Sequence, residues 1–114
     1  MSLQLNTRKV NDATVIDVSG RITLGEGTSV MRDGVRGLIT EGHRKVVMNL
    51  AEVSYIDSSG FGELVAGYTS LTNAGGALKL VGLTERVRTL LRMTNLDKVF
   101  DVHEDEAHAL RSFA

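Results

Sequence analysis

The polar stretch Asp57-Ser58-Ser59 has the clearest capacity for chemistry in this sequence. It follows an apolar, β-branched segment, and an apolar helical pattern begins two residues later, at Phe61. Either serine hydroxyl could accept a phosphoryl group or hydrogen-bond to another protein. The simpler interpretation is a helix N-cap, because an Asp or Ser oxygen accepts hydrogen bonds from the free N–H groups of a first helical turn.

Two features of this stretch exceed what a cap requires. Two serines and an aspartate supply more capping groups than one helix needs, so Ser59 is interpreted as the cap and Ser58 as a hydroxyl on display. Gly60 and Gly62 are expected in the first turn, where each is less favourable than Ala by up to about 1 kcal/mol. Glycines there would leave the hydroxyls unshielded and let another backbone approach. Such strand-to-helix junctions are also where open α/β sheets usually carry their sites, so a docking surface around a serine is predicted.

The motifs of several enzyme classes do not match. The sequence has no Gly-Lys-Ser/Thr triplet and no complete dinucleotide fingerprint, and neither serine has the two flanking glycines of a nucleophile elbow. Asp57 at the end of an apolar run suggests a phosphoaspartate receiver, but turn residues stand where that site needs acidic Mg²⁺ ligands. His103 and His108 are five residues apart, which puts them on different faces of a helix, so they and His43 are expected to be exposed polar residues. We therefore expect no enzyme activity, no metal and no cofactor.

Composition excludes further classes. A chain of 114 residues without Cys has neither a disulfide framework nor a thiolate site, which fits a reducing compartment. The net charge of −1, with interspersed signs, gives no basic stripe for nucleic acid. The N-terminus lacks the apolar region of a signal peptide, and no apolar run approaches the ~18 residues of a membrane span. These features together predict a cytoplasmic protein. Its core is expected to be aliphatic, because only 4% of its residues are aromatic.

The alternation of apolar and polar residues predicts two strands near the N-terminus. The turn residues Asn11–Ala13 lie between these strands, so a hairpin is expected. A third strand, Lys45–Leu50, is a continuous apolar run, as in the middle of a parallel sheet. The alternating positions are Leu3, Leu5 and Thr7 in the first strand, and Ile16 and Val18 in the second.

Apolar residues at helical spacing predict four helices. Gly42 is expected to end the first helix, Asn73–Gly76 to end the second, and Thr84 to cap the third. Strands are expected at Ala77–Leu83, before the third helix, and around Val99–Val102, before the fourth. The apolar positions are Met31, Val35, Leu38 and Ile39 in the first helix, Phe61, Leu64, Val65, Tyr68 and Leu71 in the second, Val87, Leu90 and Leu91 in the third, and Ala107, Leu110 and Phe113 in the fourth.

The predicted order of elements is β-β-α-β-α-β-α-β-α. Strands that alternate with helices imply crossover connections and parallel neighbours, whereas the N-terminal hairpin adds an antiparallel strand. The expected fold is one α/β domain over residues 1–114, with a mixed, mostly parallel sheet of about five strands and four helices.

The sequence YIDSSGFGELV at Tyr55–Val65, with KVVMNL before it and GRIT after the second strand, resembles the STAS domain. More narrowly, it resembles the stand-alone anti-sigma factor antagonists of bacteria. The resemblance extends from Leu3 to about Phe113 in the order and length of elements. The segment Gly82–Leu110 is also similar to the C-terminal half of that family.

The resemblance implies a binding module that phosphorylation switches. In such antagonists the serine directly after the aspartate, here Ser58, is phosphorylated by the partner, an anti-sigma factor that is also a serine kinase, and a serine phosphatase removes the phosphate. The unphosphorylated form binds the anti-sigma factor and frees the sigma factor. The segment after the second strand, here Gly20–Leu24, also contributes to docking. The implied partner-binding residues are Asp57, Ser58, Ser59, Gly60, Phe61, Gly62, Arg21, Thr23 and Leu24.

Two questions stay open on the sequence. Phe61 fits both the docking surface and the apolar stripe of its helix, and the core interpretation is favoured. STAS domains also serve as subunits of other signalling or lipid-transport complexes, a role that needs a docking surface but no phosphorylatable serine. A STAS scaffold that is not switched by phosphorylation is therefore the alternative function.

Overall fold

The computed structural model describes residues 3–113. They form a single α/β domain with a five-stranded mixed sheet and four α-helices, in the predicted order. The strands are β1 (Gln4–Val10), β2 (Ala13–Ile22), β3 (Lys45–Ile56), β4 (Ala77–Val81) and β5 (Asp101–Val102), and the helices are α1 (Glu26–Thr40), α2 (Ser58–Asn73), α3 (Glu85–Met93) and α4 (Glu106–Arg111).

The strands lie in the sheet in chain order. β1 and β2 are antiparallel, whereas β2, β3, β4 and β5 are parallel neighbours, so the predicted hairpin and mostly parallel sheet are confirmed. Asn11 closes the hairpin with a φ of 57°, a left-handed conformation that Asn tolerates better than most residues. Because β2, β3 and β4 are parallel, their carboxyl ends meet at one edge of the sheet.

Helices α1, α2 and α3 cover one face of the sheet and enclose the larger core with residues such as Ile16, Met48 and Leu64. The short helix α4 covers part of the other face, where Ala109 packs on Val15 and Val47. Both buried clusters are mainly aliphatic, as the composition predicts. Within residues 3–113, no helix combines the length and the apolar character needed to cross a lipid bilayer.

Three strand boundaries differ from the prediction. The strand expected at Ala77–Leu83 ends at Val81, because Gly82 follows with a φ of 70° and leaves the extended conformation. β3 continues past Leu50 to Ile56, because buried Val53 and Ile56 keep it in the sheet, paired with β2. The last strand is shorter than Val99–Val102: a 3₁₀ turn occupies Leu96–Lys98, Val99 is exposed, and only two residues pair with β4.

The prediction that all three histidines are exposed is wrong for His43 and His103. The ring of His43 is half-buried, and its Nδ1 lies 2.8 Å from the Thr14 hydroxyl. His103 lies before α4 rather than on it, with 10% of its side chain exposed and its Nδ1 only 2.7 Å from Nδ1 of His108. The argument from helical spacing failed because His103 lies in the loop before α4, so the distance between the two rings is not determined by a single helix. His108 is exposed, as predicted.

Candidate functional site

The carboxyl ends of β2 and β3 bring two chain junctions together. Ile22 and Ile56 are paired at these ends, and the N–H of Asp57 donates to the carbonyl of Ile22 at 3.3 Å. The loop between β2 and α1 therefore lies beside the N-terminus of α2. These are the two segments that the sequence predicts for docking.

Asp57 connects the two segments through its carboxylate. Oδ1 accepts a hydrogen bond from the N–H of Gly60 at 2.8 Å and caps α2, while Oδ2 accepts one from the N–H of Leu24 at 3.0 Å. These N–H donors, that of Leu24 first, lower the pKa of Asp57 because they stabilise its charged form. Asp57 is therefore ionised at neutral pH and fixes the loop against the helix.

The two serines follow Asp57 as the first residues of α2. Ser58 is exposed and Ser59 is half-buried, and within residues 3–113 neither hydroxyl is needed to cap the helix. The prediction that Ser59 is the cap is wrong, because Asp57 already satisfies the N–H of Gly60. The Ser58 hydroxyl is consequently free for chemistry or for a partner.

Gly60 and Gly62 are glycines for different structural reasons. A Cβ on Gly60 would collide with the backbone carbonyl of Ile22 and would lie 2.8 Å from Cγ2 of Ile56, so the close backbone approach there is made by this chain itself. Gly62 is exposed, with nothing within 4 Å of a Cβ added to it, and it lies beyond the first turn. Gly62 is therefore the position that leaves open space next to Ser58.

Phe61 and Glu63 make contacts within the domain. Phe61 is only 6% exposed and belongs to the main core, which confirms the favoured interpretation of the apolar stripe. Glu63 lies past the first turn of α2 and pairs with Arg32 of α1 at 3.1 Å. This ion pair ties α1 to α2 close to Ser58.

The loop between β2 and α1 presents an apolar side chain beside the serine. Leu24 is 76% exposed, Thr23 is half-buried, and Arg21 is exposed at the end of β2. Gly25 has a φ of 103°, a conformation that favours glycine and explains part of the glycine content of this loop. We call the exposed parts of Arg21, Leu24, Ser58 and Gly62 the Ser58 surface.

A groove next to Ser58 contains residues that the sequence analysis missed. It runs between the N-terminus of α2 and helix α3 and is lined by Tyr55, Ile56, Asp57, Ser58, Phe61, Arg86, Leu90 and Thr94. The guanidinium carbon of Arg86 lies 5.2 Å from the ring centre of Tyr55, and that of Arg21 lies 5.1 Å from the same centre. The arginines on the polar face of α3 are a sequence signal for a basic surface, but their position beside Ser58 depends on the fold.

The site has the parts of a docking surface. Within residues 3–113, no group of three or more His, Asp and Glu side chains is placed to hold a metal ion. No side chain of these residues hydrogen-bonds to the Ser58 hydroxyl as a base would, and the groove beside Ser58 is lined by Arg86. Fold and site together define a small α/β domain with an exposed serine at the N-terminus of a helix.

Residues 4–109 match the sequence profile of the STAS domain, and the chain belongs to this family. The match agrees with the resemblance carried by the Asp57–Gly62 segment.

Relatives and solved structures agree with this assignment. A Thermotoga neapolitana protein named as an anti-sigma factor antagonist homologue is 33% identical over 63% of this chain, and the chain spans 64% of that relative's length. The anti-sigma-B factor antagonist of Bacillus subtilis is 28% identical over 90% of this chain and 92% of its own. The crystal structure of a Thermotoga maritima protein described as an anti-sigma factor antagonist has a TM-score of 0.87 at 24% identity, over 95% of this chain and 92% of the other, which shows the shared fold.

Proposed function

We propose that this chain is an anti-sigma factor antagonist whose binding is switched off by phosphorylation of Ser58. The observation that carries the proposal is the exposed Ser58 hydroxyl at the start of α2, left free because Asp57 caps the helix. The names of the relatives from Thermotoga and Bacillus support the antagonist role.

The partner in this proposal is an anti-sigma factor that is also a serine kinase. It binds the unphosphorylated chain through the Ser58 surface, with Asp57, Ser59 and Thr23 holding that surface in shape, and thereby frees its sigma factor. The same partner transfers a phosphoryl group to Oγ of Ser58, and a serine phosphatase removes it. The chain acts as a binding module in the cytoplasm, not as an enzyme, and needs no contact with nucleic acid or membrane.

Electrostatics explains why a phosphate would end binding. The phosphate adds about −1.5 to −2 charges beside Asp57, which is already ionised. Inside a docked interface these charges lose water, and a buried charge without a partner is unfavourable by ~2–5 kcal/mol, or roughly 30- to several-thousand-fold in affinity. At the free surface the N-terminus of α2 instead stabilises an anion by ~0.3–1 kcal/mol. The loss on docking is the larger effect, so phosphorylation favours release.

Two measurements test the proposal. Peptide mass spectrometry of the protein from its own cells is expected to find one phosphate, on Ser58, in a fraction that changes with growth condition. Affinity capture from the same cells is expected to recover an anti-sigma factor with wild-type and Ser58→Ala baits but not with Ser58→Glu. Ser59→Ala should still be phosphorylated, and Ser70→Glu, an exposed position on the C-terminal half of α2, should bind like wild type.

Two outcomes would contradict the switch. Phosphorylation of Ser58→Ala at the usual rate would place the modification elsewhere. Absence of phosphate in every condition, with a captured partner that is not an anti-sigma factor, would favour the STAS scaffold and leave Ser58 as an ordinary surface residue of α2.

A further inference from the structure

Arg21 and Arg86 bring two positive charges to one aromatic ring. They come from β2 and α3, and both guanidiniums lie within 5.2 Å of the ring centre of Tyr55. The negative face of an aromatic ring attracts cations, which holds each side chain beside the ring. Two positive charges at one ring make this region attractive for a group of negative charge.

No carboxylate of the described chain fills that role. Two arginines do pair within the domain: Arg8 with Asp17 and Glu106, and Arg32 with Glu63. Neither Arg21 nor Arg86 takes part in any of the ion pairs formed within residues 3–113. Both side chains belong to exposed residues, on a chain whose net charge is −1.

The groove that Arg86 lines also has an apolar floor. Phe61 and Ile56 are buried beneath it, Leu90 is half-buried, and Ser58 lies on its rim. A guanidinium over such a floor suits a carboxylate carried next to an apolar side chain, because Arg binds carboxylates through two parallel hydrogen bonds. Arginine and tyrosine are also among the residues that contribute most at protein interfaces.

We propose that this groove extends the docking surface and binds an acidic side chain of the anti-sigma factor through Arg86, with Arg21 adding positive charge at the neighbouring ring of Tyr55. The inference rests on the proposed function, since it names the chemistry of the same partner. It adds Arg86, Tyr55 and Leu90 to the surface, and it assigns the two arginines to the unphosphorylated, binding-competent form.

The test uses the full chain and the purified anti-sigma factor recovered with the Ser58→Ala bait. Arg86→Ala is expected to weaken binding by about tenfold and to reduce the salt dependence of the dissociation constant, while the melting temperature falls by no more than about 4 °C through loss of the contact with Tyr55. Arg86→Glu should weaken binding more than Arg86→Ala, and replacing the matching acidic residue of the partner by Lys should restore much of the affinity. Arg36→Ala is the matched control, because Arg36 is an exposed arginine of α1 that lies outside the groove.

The outcomes separate this inference from the proposed function. If the anti-sigma factor binds but Arg86→Ala and Arg86→Glu behave like Arg36→Ala, the acidic contact is wrong and the antagonist role stands. If Arg86→Ala changes only the behaviour of the phosphorylated chain, the arginines serve the phosphate and the inference is also wrong. If no anti-sigma factor binds at all, both proposals fail.

Discussion

Asp57 and Ser58 are adjacent but have separate tasks. The Asp57 carboxylate uses one oxygen for the N–H of Gly60 and the other for the N–H of Leu24, so it supports the helix and the neighbouring loop at once. An aspartate does this better than a serine, because it offers two acceptor oxygens and a charge that suits the helix N-terminus. Ser58 therefore needs no structural role, and its modification leaves both of these hydrogen bonds in place.

The task of Asp57 can be measured through the pH dependence of stability. Asp57→Asn places an amide N–H₂ opposite one of the two backbone donors, and we expect the free energy of unfolding to fall by about 1 kcal/mol at pH 7. Since the pKa of Asp57 is lowered in the folded state, its contribution is present above the ordinary value of about 3.9 and is lost as the pH falls through the lowered value. The difference in the free energy of unfolding between wild type and variant should be constant between about pH 5 and pH 8 and should become smaller in acid.

Urea unfolding at several pH values provides this measurement. Asp33→Asn is the control, because Asp33 is an exposed aspartate on α1 that forms none of the hydrogen bonds or ion pairs of the site. A difference for Asp57→Asn that grows as the pH falls would have the wrong sign and would refute the role of the charged form.

At the scale of the elements, α2 can begin beside β2 only because Gly60 lacks a side chain. Gly60→Ala would place a methyl group against the carbonyl of Ile22, and we expect a loss of about 1–3 kcal/mol in the free energy of unfolding. Gly62→Ala meets nothing within 4 Å and should instead stabilise α2 by about 0.5–1 kcal/mol. Thermal or chemical unfolding of the two variants provides the measurement. The change in the free energy of unfolding should have opposite signs at the two positions, although the substitution is the same.

The Gly62→Ala variant also has a second readout. Its added methyl group lies on the Ser58 surface, so we expect weaker binding to the anti-sigma factor from a more stable protein. A Gly60→Ala variant as stable as wild type would show that α2 can move away from β2, and the packing argument would then be incorrect.

The elements with a strong local pattern were predictable, and those that depend on distant contacts were not. Three helices follow their apolar stripes, and Thr84 caps α3 with its hydroxyl, as predicted. The end of β3 was missed because exposed Ala51 and Glu52 interrupt its apolar run, while pairing with β2, through two register shifts, keeps the strand in the sheet as far as Ile56. β5 consists of two residues held only by β4, so no local pattern defines it.

At the scale of the whole molecule, the site joins segments that are far apart in the chain. The residue pattern itself indicated Asp57–Gly62, and resemblance to a known family added Arg21–Leu24 at the other strand-to-helix junction. Arg86 was missed, because its place beside Tyr55 follows from how α3 packs on the sheet. Phe61 is buried as its apolar stripe predicts, but the burial of Gly60 and the exposure of Leu24 are decided by packing and could not be predicted.

Phosphorylation of Ser58 should change the partner and not the fold. The phosphate lies at the exposed start of α2, where attraction to the helix N-terminus and repulsion from Asp57 oppose each other. We expect the free energy of unfolding to change by less than about 1 kcal/mol, so the melting temperature should stay within about 4 °C of that of the unphosphorylated protein. Affinity for the anti-sigma factor should fall by at least about 30-fold, because the phosphate loses water in the interface. Calorimetric melting of both forms, with amide chemical shifts, provides the measurement. Shift changes confined to Arg21–Leu24, the start of α2 and α3 fit a switch that acts at the interface; changes throughout the sheet, or a much lower melting temperature, would instead indicate a refolding switch.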